Sequence, residues 1–364
     1  MTARAVDVHV VPTDAPDDTS GLAELFNSGT VRPEDVICIL GKTEGNGCVN
    51  DFSRGLASRA YRDLLADRLG VAADSVHEEV LLIMSGGTEG VLTPHVTVFS
   101  RRDAVENTTP DEKRLTAGIA TTATLRPEEL GRPAQVTATA DAVKTAMTDA
   151  GITDPDNVEF VQIKCPLLTA DRMAEARERG NTVVVQDTYK SMAYSRGASA
   201  LGVAIATGEI PPDEISGGDI CDAQSVYSAC ASTSAGVELT HSEVIVLGNS
   251  EGAASSFVIG SSVMEDALDT RAVNEAIDTA APDDTDSSVT NVFAKAQASR
   301  SGSIRGRRHV IHNDSDIEAT RHARSVVNAV IGAVTGDPLS YISGGAEHQG
   351  PDGGGPVAAI LELD

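Results

Sequence analysis

The chain has 364 residues, of which 41% are hydrophobic and only 3% aromatic, and it contains no Trp. A chain of this length can hold two or three domains, whose interiors must be built from aliphatic side chains. The formal net charge of −26 excludes a nucleic-acid-binding role, because phosphate recognition needs a basic surface. No apolar run approaches the roughly 20 residues of a membrane span. Five scattered Cys without a CxxC pair indicate the reducing cytoplasm.

Strands and helices are predicted to alternate along the whole chain. Helical spacing of apolar residues predicts a helix over 51–70 that ends at Gly70, and another over 315–336 capped by Ser315 or Asp314. Further helices are predicted at 143–152 and 168–180. Apolar runs predict strands at 36–41, 78–86, 158–164, 181–187, 242–250, 289–299 and 307–313. Linkers are predicted at 101–112 and 248–256, and an acidic loop at 281–288. This alternation favours an α+β fold class.

A three-part signal returns once in each third of the sequence: an apolar run that ends in Lys, then an Arg, then a Ser beside two small residues. Each Ser also precedes a Glu by four residues. The positions are Lys42, Arg54 and Ser85; Lys164, Arg196 and Ser234; and Lys295, Arg324 and Ser343. Repeats of about a hundred residues match the size of domains rather than of solenoid repeats. We therefore expect three similar units, 1–104, 112–249 and 255–364, that close around one axis and share one site.

The repeated residue types suit the chemistry of a carbonyl compound. A Ser nucleophile needs a base, and a Lys can serve when burial or neighbouring cations lower its pKa towards neutrality. We expect Arg54 and Arg324 near the first turns of helices, each Lys at a strand end and each Ser where a strand meets a loop. Gly86, Ala235 and Gly344 follow the Ser residues and let backbone N–H groups approach a substrate oxygen. A lone Lys, Arg or Ser-Gly-Gly is typical of solvent-exposed positions, but their joint recurrence favours a site.

Longer motifs around these positions resemble a known family. They are GKTEGNGCVNDFSRG at 41–55, MSGGTEGVLTPHVTVF at 84–99, SMAYSRGASALG at 191–202 and ISGGAEHQGPDGGGPVA at 342–358. Through them the chain resembles the cyanuric acid hydrolase and barbiturase family of ring-opening amidohydrolases, over about residues 6–360. The resemblance implies a pseudo-threefold arrangement with a central barrel-like core of strands and helices outside, and a cytoplasmic homotetramer.

The resemblance also implies a role for each repeated residue. Lys164 and Ser234 would form the catalytic dyad, in which Ser232 is the alternative nucleophile. The other residues would bind the substrate: Lys42, Arg54, Ser85, Gly86, Arg196, Ala235, Lys295, Arg324, Ser343 and Gly344. Attack on a ring carbonyl would give an acyl-enzyme, from which water releases carboxybiuret, which then loses CO₂ to give biuret. No cofactor is needed for this reaction.

One position departs from the family pattern. The family has a Glu that ligates a structural Mg²⁺ or Ca²⁺ where this chain has Gln297. The remaining ligands would come from the C-terminal loop, at Ala346, Gln349, Gly350, Pro351 and Gly354. A neutral amide oxygen supplies no charge to offset dehydration of the ion, which puts the metal in doubt.

Three functions remain open at this point. The first is hydrolysis of cyanuric acid. The second is barbiturase activity on barbituric acid, which has CH₂ in place of one ring N–H, to give ureidomalonate. The third is non-catalytic binding of a small cyclic imide, which would keep the Arg and Ser residues but would not need an activated Lys.

Overall fold

The computed structural model describes residues 3–104, 112–222, 226–281 and 287–363. Within them lies a mixed α/β fold with seven α-helices and three four-stranded sheets, together with one two-stranded hairpin. None of the helices in these ranges is both long and apolar enough to span a membrane. The predicted linker 101–112 and the acidic loop 281–288 fall partly outside the described residues.

The first segment, 3–104, forms one sheet with two helices. Its elements are β1 (Ala3–Pro12), α1 (Ser20–Ser28), β2 (Val36–Thr43), α2 (Phe52–Leu69), β3 (Leu81–Gly86) and β4 (His95–Ala104). The strand order is β1-β4-β2-β3, with β2 parallel to β3 and the other pairs antiparallel. Helix α2 is fixed at both ends: the Asp51 side chain accepts a hydrogen bond from the Ser53 N–H, and Gly70 is left-handed at φ 68°.

The second segment, 112–250, repeats this sheet. Its elements are β5 (Arg114–Thr121), α3 (Pro133–Ala150), β6 (Val158–Pro166), α4 (Ala170–Glu178), α5 (Thr188–Ala206), β7 (Ala231–Gly236) and β8 (Glu243–Ser250). The strand order is β5-β8-β6-β7, again with the edge strand β7 parallel to its neighbour β6 and the other pairs antiparallel. Helix α5 packs on both β6 and β7, so it lies over the parallel pair.

The third segment, 257–363, has the same order of four strands, β9-β14-β10-β13, with β10 parallel to β13. Its elements are β9 (Phe257–Met264), α6 (Thr270–Ala280), β10 (Ser287–Ala296), the hairpin β11 (Ser303–Ile304) and β12 (Arg307–Arg308), α7 (Ala319–Thr335), β13 (Tyr341–Gly344) and β14 (Gly355–Leu363). Short 3₁₀ turns occur at Pro33–Asp35, Ala73–Glu78, Pro127–Glu129, Pro155–Asn157, Pro212–Glu214 and Ile311–Asn313.

The three sheets share one central core. Phe293 of the third sheet packs against Phe99 of the first and Phe160 of the second, with ring centroids 6.3 and 5.7 Å away. Aliphatic side chains from all three sheets surround these rings, and each sheet has a separate core beneath its own helices. Among the described strands no ladder of hydrogen bonds joins one four-stranded sheet to another. The expected barrel is therefore not closed by strand pairing, and the sheets meet through side chains.

The structure corrects three local predictions. Residues 181–187 are not a strand, although Val183 is buried. Residues 307–313 contain only the two-residue β12 and a 3₁₀ turn. Helix α7 is capped by Glu318, whose side chain accepts from the Thr320 N–H, and not by Ser315 or Asp314. Asp314 instead accepts from the N–H groups of Asp316 and Ile317, which stabilises the loop before the helix.

Candidate active site

Strand register places each repeated Lys beside a repeated Ser. In the three parallel pairs Lys42 lies opposite Ser85, Lys164 opposite Ser234, and Lys295 opposite Ser343. All three Lys side chains are almost completely buried, at 1%, 2% and 1% exposure. The predicted positions, a Lys near a strand end and a Ser where a strand meets a loop, are confirmed.

The three Arg residues come from helices that cover these strand ends. Arg54 lies in the first turn of α2, whereas Arg324 lies in the second turn of α7 and Arg196 in the middle of α5, a helix that the sequence did not predict. One small cavity brings the predicted residues together. Its lining includes Arg54, Ser85, Gly86, Lys164, Arg196, Ser234, Ala235, Arg324, Ser343 and Gly344.

Lys42 and Lys295 lie directly behind that lining. The Lys42 ammonium nitrogen donates to the Ser85 hydroxyl at 3.2 Å, and that of Lys295 donates to the Ser343 hydroxyl at 2.9 Å. Lys295 also donates to the Thr233 carbonyl, in the strand that carries Ser234. These two lysines therefore orient hydroxyls that face the cavity, which is consistent with the predicted binding role.

Three glutamates that the sequence analysis gave no role complete the site. Arg324 donates two hydrogen bonds to Glu89, from Nη2 at 2.6 Å and Nε at 2.9 Å. Arg196 donates two to Glu347, both at 2.8 Å. Arg54 forms an ion pair with Glu238, 3.5 Å from Nε. Each pair joins an Arg of one segment to a Glu of another, in a cycle. The signal was present in the Ser-to-Glu spacing of four, but only the fold reveals the partners.

The glutamates leave one NH₂ group of Arg196 and of Arg324 available to bind a ligand. A guanidinium has five N–H donors, and a two-bond pair with a carboxylate occupies only one edge of it. In Arg196 and Arg324 that edge is the Nε and Nη2 side, so the Nη1 group remains for a ligand oxygen. The carboxylates thus fix the orientation of two positive charges at the cavity.

Burial and neighbouring cations lower the pKa of all three lysines. For Lys42 desolvation dominates and Arg324 adds to it, so its pKa lies well below the usual range. The same holds for Lys295 with Arg196. Burial also lowers the pKa of Lys164, but the nearby Glu238 carboxylate opposes that shift. The amines are therefore far easier to deprotonate than a surface lysine, as a general base requires.

The second Lys–Ser pair is arranged differently from the other two. The Lys164 ammonium donates to the Met84 carbonyl at 2.7 Å and lies 3.3 Å from Glu238. The Ser234 hydroxyl donates to the Ile163 carbonyl at a long 3.4 Å. Ser232 donates instead to the Gln162 side chain at 2.7 Å and does not line the cavity. The geometry thus brings Ser234, and not Ser232, to the cavity.

A second carboxyl group lies behind Lys164. Glu243 faces Lys164 across the antiparallel pair of β6 and β8, and its Oε2 atom is buried without a hydrogen-bond partner. Burial raises the pKa of Glu243 to about 8, despite the opposing effect of Lys164. The corresponding position opposite Lys42 is His95, whose pKa burial lowers to about 4. The surroundings of the two lysines therefore differ in charge as well as in hydrogen bonding.

The residues expected to hold a metal do not fit a divalent cation. The Gln349 side-chain carbonyl accepts from the Thr233 N–H at 2.6 Å, and its amide donates to Gly345 and Glu347 carbonyls. Gln297, Ala346, Gly350, Pro351 and Gly354 offer only neutral oxygens. Asp352, in the same loop, accepts from Ser299 and the Arg300 N–H. Across the described ranges, no three His, Cys, Asp or Glu residues are grouped as a metal site. Among the residues expected to bind it, a hard cation would therefore find no carboxylate.

Comparison with known proteins identifies the family. The sequence profile described as amidohydrolase ring-opening protein matches residues 7–362. A cyanuric acid amidohydrolase from Enterobacter cloacae is 52% identical over 359 residues, covering 96% of this chain and 97% of the relative. The chain belongs to the ring-opening amidohydrolase family. A second relative of that name, from Pseudomonas sp. strain ADP, is 51% identical and covers 98% of each chain.

Solved structures agree with the family assignment. A cyanuric acid hydrolase structure superposes with a TM-score of 0.95 at 50% identity, covering 99% of this chain and all of the other. The enzyme from A. caulinodans gives a TM-score of 0.91 at 49% identity, covering 98% of each chain. The resemblance read from the motifs is thus confirmed, and so is the prediction of a hydrolase that acts on cyclic amides.

Proposed function

We propose that the protein hydrolyses cyanuric acid, opening the ring to carboxybiuret. The observation that carries the proposal is the convergence of three Ser residues and three Arg residues, one of each from every segment, on one cavity. Cyanuric acid offers three equivalent carbonyl oxygens at threefold spacing, which matches three similar sets of donors. The names of the relatives at about half identity support the same substrate.

We further propose that the chain is built from three repeat units, 1–104, 112–249 and 255–364, around a pseudo-threefold axis. The common strand order of the sheets and the common Lys–Ser register support this arrangement. In this arrangement Arg54, Arg196 and Arg324 bind ring carbonyls. Ser85 with Gly86 and Ser343 with Gly344 hold the ring, while Lys42 and Lys295 orient the two hydroxyls.

The reaction itself is assigned to the second pair. The Ser234 oxygen attacks a ring carbonyl carbon while Lys164, as the neutral amine, accepts the hydroxyl proton. The C–N bond then breaks, and Lys164 returns that proton to the departing ring nitrogen. Water then attacks the acyl carbon while Lys164 accepts a proton from it. Lys164 passes this proton to the Ser234 oxygen as the ester bond breaks, which regenerates Ser234 and gives carboxybiuret. Ser234 suits this role because its hydroxyl makes only a long 3.4 Å hydrogen bond to the Ile163 carbonyl within the described residues, whereas lysines donate to the hydroxyls of Ser85 and Ser343.

Turnover distinguishes this function from its alternatives. Purified protein incubated with cyanuric acid should consume it, and more efficiently than barbituric acid by kcat/KM. Lys164→Ala should abolish turnover but leave the far-UV circular dichroism unchanged. A preference for barbituric acid would identify a barbiturase. Tight binding of both rings with no consumption would identify a binding protein.

A further inference from the structure

The glutamate of the second segment is bound differently from its two counterparts. Glu89 and Glu347 each accept two short hydrogen bonds from one arginine and are 13% and 11% exposed. The side chain of Glu238 is 25% exposed, and its carboxylate lies 3.3 Å from Lys164 Nζ and 3.5 Å from Arg54 Nε. Its negative charge is therefore divided between a lysine and an arginine.

Because the Glu238 carboxylate contacts both Lys164 and Arg54, Lys164 has different hydrogen-bond partners from the other two lysines. Lys42 and Lys295 donate to the Ser beside them, whereas Lys164 is held by Glu238 and the Met84 carbonyl. Arg54 is also held on its other side, because its Nη2 donates to the Cys48 carbonyl at 3.1 Å. Glu238 consequently links Arg54 of the first segment to Lys164 of the second, and the Ser234 hydroxyl makes a long 3.4 Å hydrogen bond to the Ile163 carbonyl.

We propose that Glu238 is a positioning residue that makes the second of the three Lys–Ser pairs the reactive one. Its carboxylate holds Lys164 Nζ at the edge of the cavity and stabilises the ammonium form. The amine of Lys164 can therefore both accept a proton from Ser234 and return it. This inference rests on the proposed function and adds to it the reason why three similar pairs are not equivalent.

The charges around Lys164 determine the sign of the effect. Glu238 favours the ammonium form, Arg54 opposes it, and Cys165, the next residue in sequence, also favours it. Glu243 faces Lys164 as an uncharged carboxylic acid below about pH 8. Glu238 itself faces Lys164, Arg54, Glu243 and Arg172. Removing the Glu238 charge therefore lowers the pKa of Lys164, since an opposite charge at this distance shifts a pKa by about 1 to 3 units. A base and acid whose pKa falls far below the working pH returns protons poorly.

The test is the pH dependence of Glu238→Gln. We expect the acidic limb of kcat/KM, which reports loss of the neutral Lys164, to move down by about one pH unit or more. We expect kcat on the plateau to fall at least about tenfold, with the larger change in kcat rather than in KM. Glu89→Gln is the matched control, since Glu89 is the equivalent residue beside Lys42. It should raise KM by loosening Arg324 but leave the acidic limb in place.

A second readout does not depend on turnover. Cyanate carbamylates only the neutral amine, so the extent of Lys164 modification against pH, measured by peptide mass spectrometry, reports its titration. The midpoint should fall in Glu238→Gln and stay near the wild-type value in Glu238→Asp, which keeps the charge. An unmoved midpoint, or an equal shift in Glu89→Gln, would overturn the proposal. If the wild type turns over neither ring, the proposed function fails, and the cyanate midpoints still decide the role of Glu238.

Discussion

The buried ion pair of Arg196 and Glu347 should stabilise the contact between the second and third segments. Both side chains are nearly buried, at 12% and 11% exposure, and two hydrogen bonds of 2.8 Å join them. Burial alone would raise the pKa of Glu347, but Arg196 outweighs it and holds the pKa at about 2. A displacement of roughly 2.5 units from the usual value corresponds to about 3 kcal/mol at 1.36 kcal/mol per unit.

Arg196→Met removes the charge but keeps much of the side-chain volume. We expect it to lower the free energy of unfolding by about 3 kcal/mol, within the range for breaking one partner of a buried ion pair. Because the chain has no Trp, urea unfolding is best followed by far-UV circular dichroism. In the double variant with Glu347→Gln no carboxylate remains unpaired, so the two losses should fall short of additivity by at least about 1.5 kcal/mol. A loss below about 0.5 kcal/mol, or strict additivity, would refute the reasoning.

Two further predictions concern stability. Dialysis against EDTA should leave the melting temperature unchanged, whereas Gln297→Glu should make it rise on addition of Mg²⁺ or Ca²⁺, because that variant supplies the missing carboxylate. A drop on EDTA treatment of the wild type would contradict the poor fit of the C-terminal loop. Glu243 is protonated in the folded state up to about pH 8 but ionises near 4.5 when unfolded. It therefore contributes stability that declines as the pH rises from about 4.5 to 8, on the order of 5 kcal/mol in total. Urea titrations across this range should show a shallower decline for Glu243→Gln than for the wild type, and parallel declines would count against the buried acid.

Sequence patterns predicted helix α2 from the helical spacing of its apolar residues. The strands that carry the three lysines are buried on both faces around the Lys, so they were predicted as continuous apolar runs. Helix α5 was missed because twelve of its nineteen residues are buried, so its Ala- and Gly-rich sequence has no polar face to give a period. The Val run at 183–185 has the composition of a strand, but Val183 packs into a small core with Leu168 and with Met173 of α4.

The site could be predicted by residue type but not by its internal differences. Recurrence of Lys, Arg and Ser identified the three Arg, the three Ser and the one Lys that line the cavity, but the other two lysines lie behind the lining, and Gly47 and Met192 were missed. The Arg–Glu pairs connect segments more than 100 residues apart, and no local pattern reveals which Arg meets which Glu. The shared contact of Glu238 with Lys164 and Arg54 is likewise a property of the packed units.

The central claim is that Ser234 alone attacks the ring while the equivalent serines only hold it. The most direct measurement compares kcat on cyanuric acid for Ser85→Ala, Ser234→Ala and Ser343→Ala, prepared and assayed together. We predict that Ser234→Ala loses at least about a thousandfold, since removing a nucleophile eliminates the covalent route. Ser85→Ala and Ser343→Ala should keep a much larger kcat and mainly raise KM. An equal or greater loss of kcat in either of them, with Ser234→Ala still active, would contradict the account.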